Sequence, residues 1–306
     1  MTVRTEKGNG REALHRAVPL ARFYDVGGRQ LMFCAAGTGG PAVVVLPGAG
    51  LTGLGYLNLH EQVSQFVTSV LYDRAGTGWS DHVQLPRSAT EVADELRLLL
   101  RAAGVPAPYV FVGHSLGGIY ARRYAQRFPA DVAGLLFLDP GHEDYTTKLP
   151  TPSLLERLRT SLALFRALLQ LKRHYRGIFE RMYADWPAPV RDLLFEYHLT
   201  SWRIGMKESK NFESICDEVR RGGHMPNVPL IVLTGMGIDP FRAVFATDAS
   251  QRELNEVKLA INRAFANSVP HGENRVLENA AHATFHTDRP DAVVQAIRDL
   301  LDRVHK

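Results

Sequence analysis

Cysteine is almost absent from this chain. Its 306 residues hold only Cys34 and Cys216, far apart in sequence and at no metal-ligand spacing. One bridge at most could form and nothing demands it, so two buried thiols are expected. Long apolar runs are also missing: none approaches the roughly 18–20 residues of a membrane span. The opening MTVRTEKGNGREALHRAVPL has no apolar h-region, so it does not read as a secretory signal. A cytoplasmic protein is the expectation. No G-x-x-x-x-G-K-S/T occurs, and no G-x-G-x-x-G follows a strand with an acidic partner in register. Histidines and carboxylates do not cluster with ligand spacing. Neither a cofactor nor a metal is expected. Charge of one sign is scarce as well, with a net of +4 and no nucleic-acid-binding module. Between Thr151 and Met225 stand 13 Lys+Arg against 9 Asp+Glu, which accounts for the whole excess. That segment reads as a solvated helical face, or more sharply as a surface for anionic substrates or membrane headgroups.

What is present is an ordinary soluble composition, 45% hydrophobic and 22% charged. Residues 1–18 read as a polar, flexible extension. ARFYDVGGRQLMFCAAG alternates around Gly-Gly and predicts a hairpin. AVVVL, SVLY, PYVFVG, AGLLFLD and PLIVL are short apolar runs closed by glycine or proline, the form of strands buried on both faces. Helical patterns lie between them. The clearest is SATEVADELRLLLRAAGV, which Ser88 or Thr90 can cap. Strand–helix alternation of this kind predicts an α/β fold, a mostly parallel sheet with helices on both faces. From about 141 to 226 no buried strand is expected. A long amphipathic helix over 152–176 and shorter aromatic-rich helices read as an insertion over the sheet. The division is then a core of 19–140 and 227–306 with a helical cap of 141–226. In the C-terminal part, Asp288 is expected to cap the last helix and Pro290 to sit in its first turn.

VGHSLGG, residues 112–118, ends a buried strand and starts a helix. Ser115 at that junction must turn sharply, with φ > 0, and Gly113 and Gly117 leave room for strand and helix to approach. The turn lifts the hydroxyl above the carboxyl end of the sheet, where open α/β sheets bind ligands. A capping serine in a glycine-rich turn is the plainer reading, and the strand-before, helix-after context favours a nucleophile.

Taken in order, LPGAG, YDRAGTGWSD, GHSLGG, TGMGID and AAHATFHTDRPDAV resemble the α/β-hydrolase superfamily over residues 20–305. The resemblance implies that fold, an inserted cap, and a nucleophile–acid–histidine triad. Ser115 matches the nucleophile. His282, between the last strand and the last helix, matches the base, with His286 as its rival. Ala281 stands where the family usually has glycine. Asp239, after PLIVLTG, matches the commonest acid position. Asp139, at the end of AGLLFLD, is the alternative, and Asp248 a third. The resemblance implies an oxyanion hole from the N–H groups of Ala49 and Leu116, although Pro47-Gly48 replaces the usual His-Gly. Asp73 and the glycines of YDRAGTGWSD are read as shaping a tight turn. The expected reaction is hydrolysis of a small carboxylic ester or lactone with an apolar part, through an acyl-enzyme. Acyltransferase, thioesterase, amidase and carbon–carbon hydrolase chemistry use the same triad, and a non-catalytic binding protein would keep the same pocket. Nucleic acid is not an expected partner.

Overall fold

The computed structural model describes residues 2–148, 175–244 and 246–304. Eight strands form one sheet: β1 (Arg22–Asp25), β2 (Gln30–Ala36), β3 (Ala42–Leu46), β4 (Ser69–Tyr72), β5 (Tyr109–His114), β6 (Val132–Leu138), β7 (Leu230–Gly235) and β8 (Gly272–Leu277). Their order is β1-β2-β4-β3-β5-β6-β7-β8. The β1–β2 hairpin and the β2–β4 pair are antiparallel, and every pair from β4–β3 to β7–β8 is parallel.

The uniformly apolar strands are explained by two cores. Val43 and Val45 of β3 pack on one face with Leu14, Val63 and Ile297. Ala42, Val44 and Leu46 pack on the other with Leu96, Tyr120 and Phe265. Side chains alternate with period two, but both sides need hydrocarbon, so no polar alternation survives. Helices Thr2–Ala17, Leu57–Val63 and Pro290–Val304 contribute to the first face, and Ala89–Ala102, Leu116–Arg127 and Phe212–Arg221 to the second.

Local signals act as expected at several points. Gly27 and Gly28 take positive φ in the hairpin turn. Ser88, not Thr90, caps Ala89–Ala102 and closes a capping box with Glu91. Two expectations fail. Residues 2–17, read as a flexible extension, form a helix. Its C-terminal end buries Leu14 completely, and Arg11 pairs with Asp81. So small an apolar contact leaves almost no periodic trace in sequence. Asp288 does not cap the last helix. Its Oδ2 accepts from Ala281 N at 2.9 Å and Thr284 Oγ1 at 2.6 Å, and so ties down the loop that carries His282. The helix expected over 152–176 falls largely outside the described residues. Among the described residues of 141–226 there is no strand, and no described helix is long and apolar enough to cross a membrane.

β3 is followed in sequence by β4 on one side, and β5 then lies on its other side. The crevice at such a switch point, outside the carboxyl ends of the strands, is where α/β sheets hold ligands. The loop after β3, Ser115 after β5, Asp139 after β6, Asp239 after β7 and His282 after β8 all belong to that edge.

Candidate active site

Ser115 stands between β5 and the helix Leu116–Arg127 with φ 52° and ψ −121°. For a residue bearing a Cβ this region is strained. The turn is held by Ser115 N donating to Leu138 O at 3.1 Å, and by Ser115 O accepting from Gly118 N at 3.0 Å and Gly141 N at 2.8 Å. A Cβ on Gly113 would come within 2.8 Å of Gly118 Cα, so strand and helix approach only because both are glycines.

Oγ of Ser115 lies 3.0 Å from His282 Nε2, and His282 Nδ1 lies 3.2 Å from Asp139 Oδ2. A neutral imidazole protonated on Nδ1 satisfies both contacts. It donates to the carboxylate and accepts the serine proton. Asp139 is fully buried and itself takes a positive φ of 45°. Its Oδ1 accepts from Gly235 N at 3.0 Å, and its Oδ2 also pairs with Lys258 Nζ at 2.6 Å. Burial by itself raises this carboxyl. The Lys258 ammonium and the His282 contact outweigh it and hold the group below the usual carboxylate range.

Asp239, the favoured acid in sequence, does not reach the imidazole. Its Oδ1 accepts from Phe241 N at 2.8 Å and Arg242 N at 3.3 Å, an Asx-type turn. Its Oδ2 accepts from Ala283 N at 3.1 Å. The carboxylate is thus spent on backbone donors and touches the histidine loop one residue past His282. Asp248 begins the helix Asp248–Ala266 and pairs only loosely with Arg252, at 4.0 Å on the surface. His286 is buried against Tyr56, ring centroids 4.4 Å apart, and makes no contact with Ser115. Burial holds its imidazole down at about 4.

His114 occupies the position before the serine. Its Nε2 lies 2.9 Å from His282 O and its Nδ1 2.6 Å from Tyr56 Oη. A carbonyl only accepts, so Nε2 carries the proton, and Nδ1 accepts from the tyrosine hydroxyl. The tyrosine oxygen in turn faces Gly48 N at 3.4 Å. Burial, reinforced by the His282 and His286 imidazoles, keeps His114 far below its ordinary value and therefore neutral. A hydrogen-bonded series thus joins the loop after β3 to the backbone of His282. Sequence reasoning assigned a role to neither His114 nor Tyr56.

The loop after β3 carries Pro47-Gly48, and two charged residues grip it. Arg74, from YDRAGTGWSD, donates to Pro47 O at 2.8 Å and Gly48 O at 2.7 Å. It also forms a bidentate pair with Glu208 at 2.6 and 2.8 Å. Glu208, at the end of the helix Ala188–Glu208, accepts from Gly50 N at 2.7 Å. Tyr197 of the same helix donates to Gly50 O at 2.9 Å and accepts from Gly78 N at 2.9 Å. The N–H of Ala49, between these tethered neighbours, enters no hydrogen bond among the described residues. An added Cβ on Gly48 would lie 3.3 Å from Ser115 Cβ, so the loop stands directly against the serine. Asp73 completes the mounting by accepting from Thr52 Oγ1, Gly53 N and Trp79 N at 2.7–2.9 Å. Desolvation raises its carboxyl to about 6 despite these donors.

Nothing in sequence marks Glu208, which sits in a segment rich in basic residues. Glu208→Ala would leave the buried Arg74 guanidinium half-partnered. The expected loss is about 3–5 kcal/mol, the scale for breaking one side of a buried pair. Urea unfolding measures it, and a loss of ~1 kcal/mol or less, typical of exposed pairs, would contradict the clamp.

The model of the family described as "Alpha/beta hydrolase family" matches residues 43–296. A protein of Gibberella zeae named AB hydrolase superfamily protein is 30% identical over 224 residues, covering 68% of this chain and 66% of its own length. Other curated relatives are matched over 13% to 43% of theirs. A solved structure of a putative lipase from Acinetobacter baumannii aligns over 100% of this chain and 97% of its own, with TM-score 0.64 and 17% identity. A thermophilic esterase from Thermogutta terrifontis aligns over 94% and 99%, with TM-score 0.57 and 20% identity. At these identities the structural likeness is one of fold.

Proposed function

The chain belongs to the alpha/beta hydrolase family, and from that premise we propose that it cleaves a carboxylic ester or lactone through an acyl-enzyme on Ser115. One observation carries the reading: Ser115 Oγ within 3.0 Å of an imidazole whose other nitrogen faces a buried carboxylate. A serine hydroxyl is a weak nucleophile until a base within hydrogen-bond reach removes its proton. In this reading His282 takes that proton as Oγ attacks the carbonyl, and Asp139 fixes the Nδ1–H tautomer and stabilises the imidazolium. The N–H groups of Ala49 and Leu116 receive the oxyanion. His282 then protonates the departing alcohol and activates the water that releases the acid.

In this reading the insertion 141–226, described over 141–148 and 175–226, serves as the cap. Tyr197 and Glu208 tie the helix Ala188–Glu208 to the loop that carries Ala49, so this helix helps to hold the proposed oxyanion donor in place. The esterase and lipase names of the fold neighbours agree with this chemistry.

The test is intact-mass analysis after exposure to a fluorophosphonate, with a short-chain p-nitrophenyl ester assay beside it. A single adduct mapping to Ser115 together with ester turnover is expected. Absence of both would discard the hydrolase reading in favour of a pocket that binds without turning over. An adduct without ester turnover would retain the activated serine and move the substrate to the thioester, amide, acyl-transfer or carbon–carbon class.

A further inference from the structure

Lys258 belongs to none of the motifs above, yet its ammonium lies 2.6 Å from the Asp139 oxygen that His282 also uses. It comes from the helix Asp248–Ala266, and its side chain is almost wholly buried. Asp139 therefore serves two cationic partners through one oxygen, and the lysine stands 0.6 Å closer than the 3.2 Å imidazole nitrogen. A carboxylate that supports an imidazolium does so by its negative charge. An ammonium on the same oxygen cancels much of that charge at the imidazole.

We propose that Lys258 is a positioning residue that pins the Asp139 carboxylate and partly neutralises it, so that His282 holds its proton less tightly and stays an effective base at lower pH. The inference rests on the triad reading above and deepens it. It is a statement about how the base is set, not about which residues react.

The surroundings leave few other groups able to set that proton affinity. His282 and Lys258 line one cavity of about 160 Å³ with Tyr145, Asp239, Arg242 and Gln251. Burial first, and then the Asp139 charge, push the Tyr145 phenol far up, so it is neutral. Asp239 is tied to three backbone donors. From the elbow side, His114 faces His282 at 5.2 Å between ring centroids and is kept neutral by burial. His286 lies behind His114 at 6.2 Å and is also neutral above about 4. Lys258 is thus the charged partner of Asp139 other than the base itself among the described residues.

The sign follows from the charge. The base must be neutral to act, so kcat/KM falls below the pH at which His282 takes up its proton. Removing a positive charge nearby favours the imidazolium and moves that limb upward. Lys258→Met and Lys258→Gln, both neutral and of similar reach, are expected to raise the acidic limb of the ester kcat/KM profile by about one pH unit. On the acidic side this is about a tenfold loss relative to the plateau. Lys258→Arg retains the charge and is expected to keep the limb within a few tenths of a unit of the wild type. The pH dependence of fluorophosphonate labelling gives the same readout with no dependence on product release. Circular dichroism identifies which variants are folded.

A lowered plateau with an unmoved limb in both neutral variants would mean that Lys258 only braces the helix, and the proposal would fall. An arginine variant shifted as far as the neutral ones would also overturn it. Failure of either neutral variant to fold leaves the other and the arginine comparison to decide. Asp139→Asn separates this inference from its basis. Full activity there removes the triad reading itself, whereas inactive Asp139→Asn beside an unmoved Lys258→Met limb removes only the role of the lysine.

Discussion

Ser115→Ala is expected to lower ester turnover by roughly 10⁶-fold, the scale seen when the nucleophile of such a unit is removed alone. The magnitude follows from the geometry. The hydroxyl is the group His282 can deprotonate at 3.0 Å, and losing it leaves the base with nothing to activate except water. Residual turnover then comes from the oxyanion donors and binding. Alanine keeps a Cβ at φ 52°, so the backbone strain of the elbow is unchanged. The three backbone hydrogen bonds that hold the turn do not involve the side chain. Circular dichroism and the unfolding midpoint are therefore expected to match the wild type, and fluorophosphonate labelling to vanish. Folded Ser115→Ala protein with a hundredth or more of wild-type turnover would refute the nucleophile assignment.

Asp139→Asn is the second large effect, with kcat expected to fall about 10⁴-fold, as for loss of the orienting carboxylate in a triad. The amide cannot supply the negative charge that stabilises the imidazolium. Its oxygen must also satisfy Lys258, which lies within 2.6 Å of the position it replaces. If the amide NH₂ faces His282, the imidazole turns to the wrong tautomer. Asp239→Asn is expected to be milder in rate and to act mainly through stability. It weakens three hydrogen bonds from backbone N–H groups to a charged acceptor, including the one that steadies Ala283 beside the base. Each such bond is worth about 1.5–3 kcal/mol when the acceptor is charged, and an asparagine oxygen retains part of that. Steady-state kinetics with urea unfolding on the two variants decides the ranking. If Asp239→Asn lost more kcat than Asp139→Asn at equal foldedness, the acid would be Asp239 after all.

The reason for expecting this ranking shows how far each kind of information reaches. Both aspartates follow a buried strand, and both precede proline, so no local pattern separates them. Asp239 matches the commoner family position. What separates them is the path of the chain after β7. There the loop folds back so that Asp239 accepts from its own neighbours, while the positive φ of Asp139 turns its carboxylate toward the histidine loop. The N-terminal helix escaped sequence reading for a related reason. Its stability comes from a few distant contacts, chiefly Leu14 in the core and Arg11 on Asp81, and not from a repeating apolar stripe of its own.

The parallel sheet, its hairpin edge, a helix cap at Ser88 or Thr90 and the strained serine between Gly113 and Gly117 were determined by sequence alone. Each depends on residues a few positions apart, through side-chain period, steric room at glycine or a cap three residues away. The partner of His282, the grip of Arg74 and Glu208 on the loop after β3, and the lysine behind Asp139 were decided only by the tertiary structure. Those contacts join residues 143, 134 and 119 positions apart. A hydrogen bond is made or lost over a few tenths of an ångström, and at that separation only the packing of helices on both faces of the sheet fixes which loop ends meet.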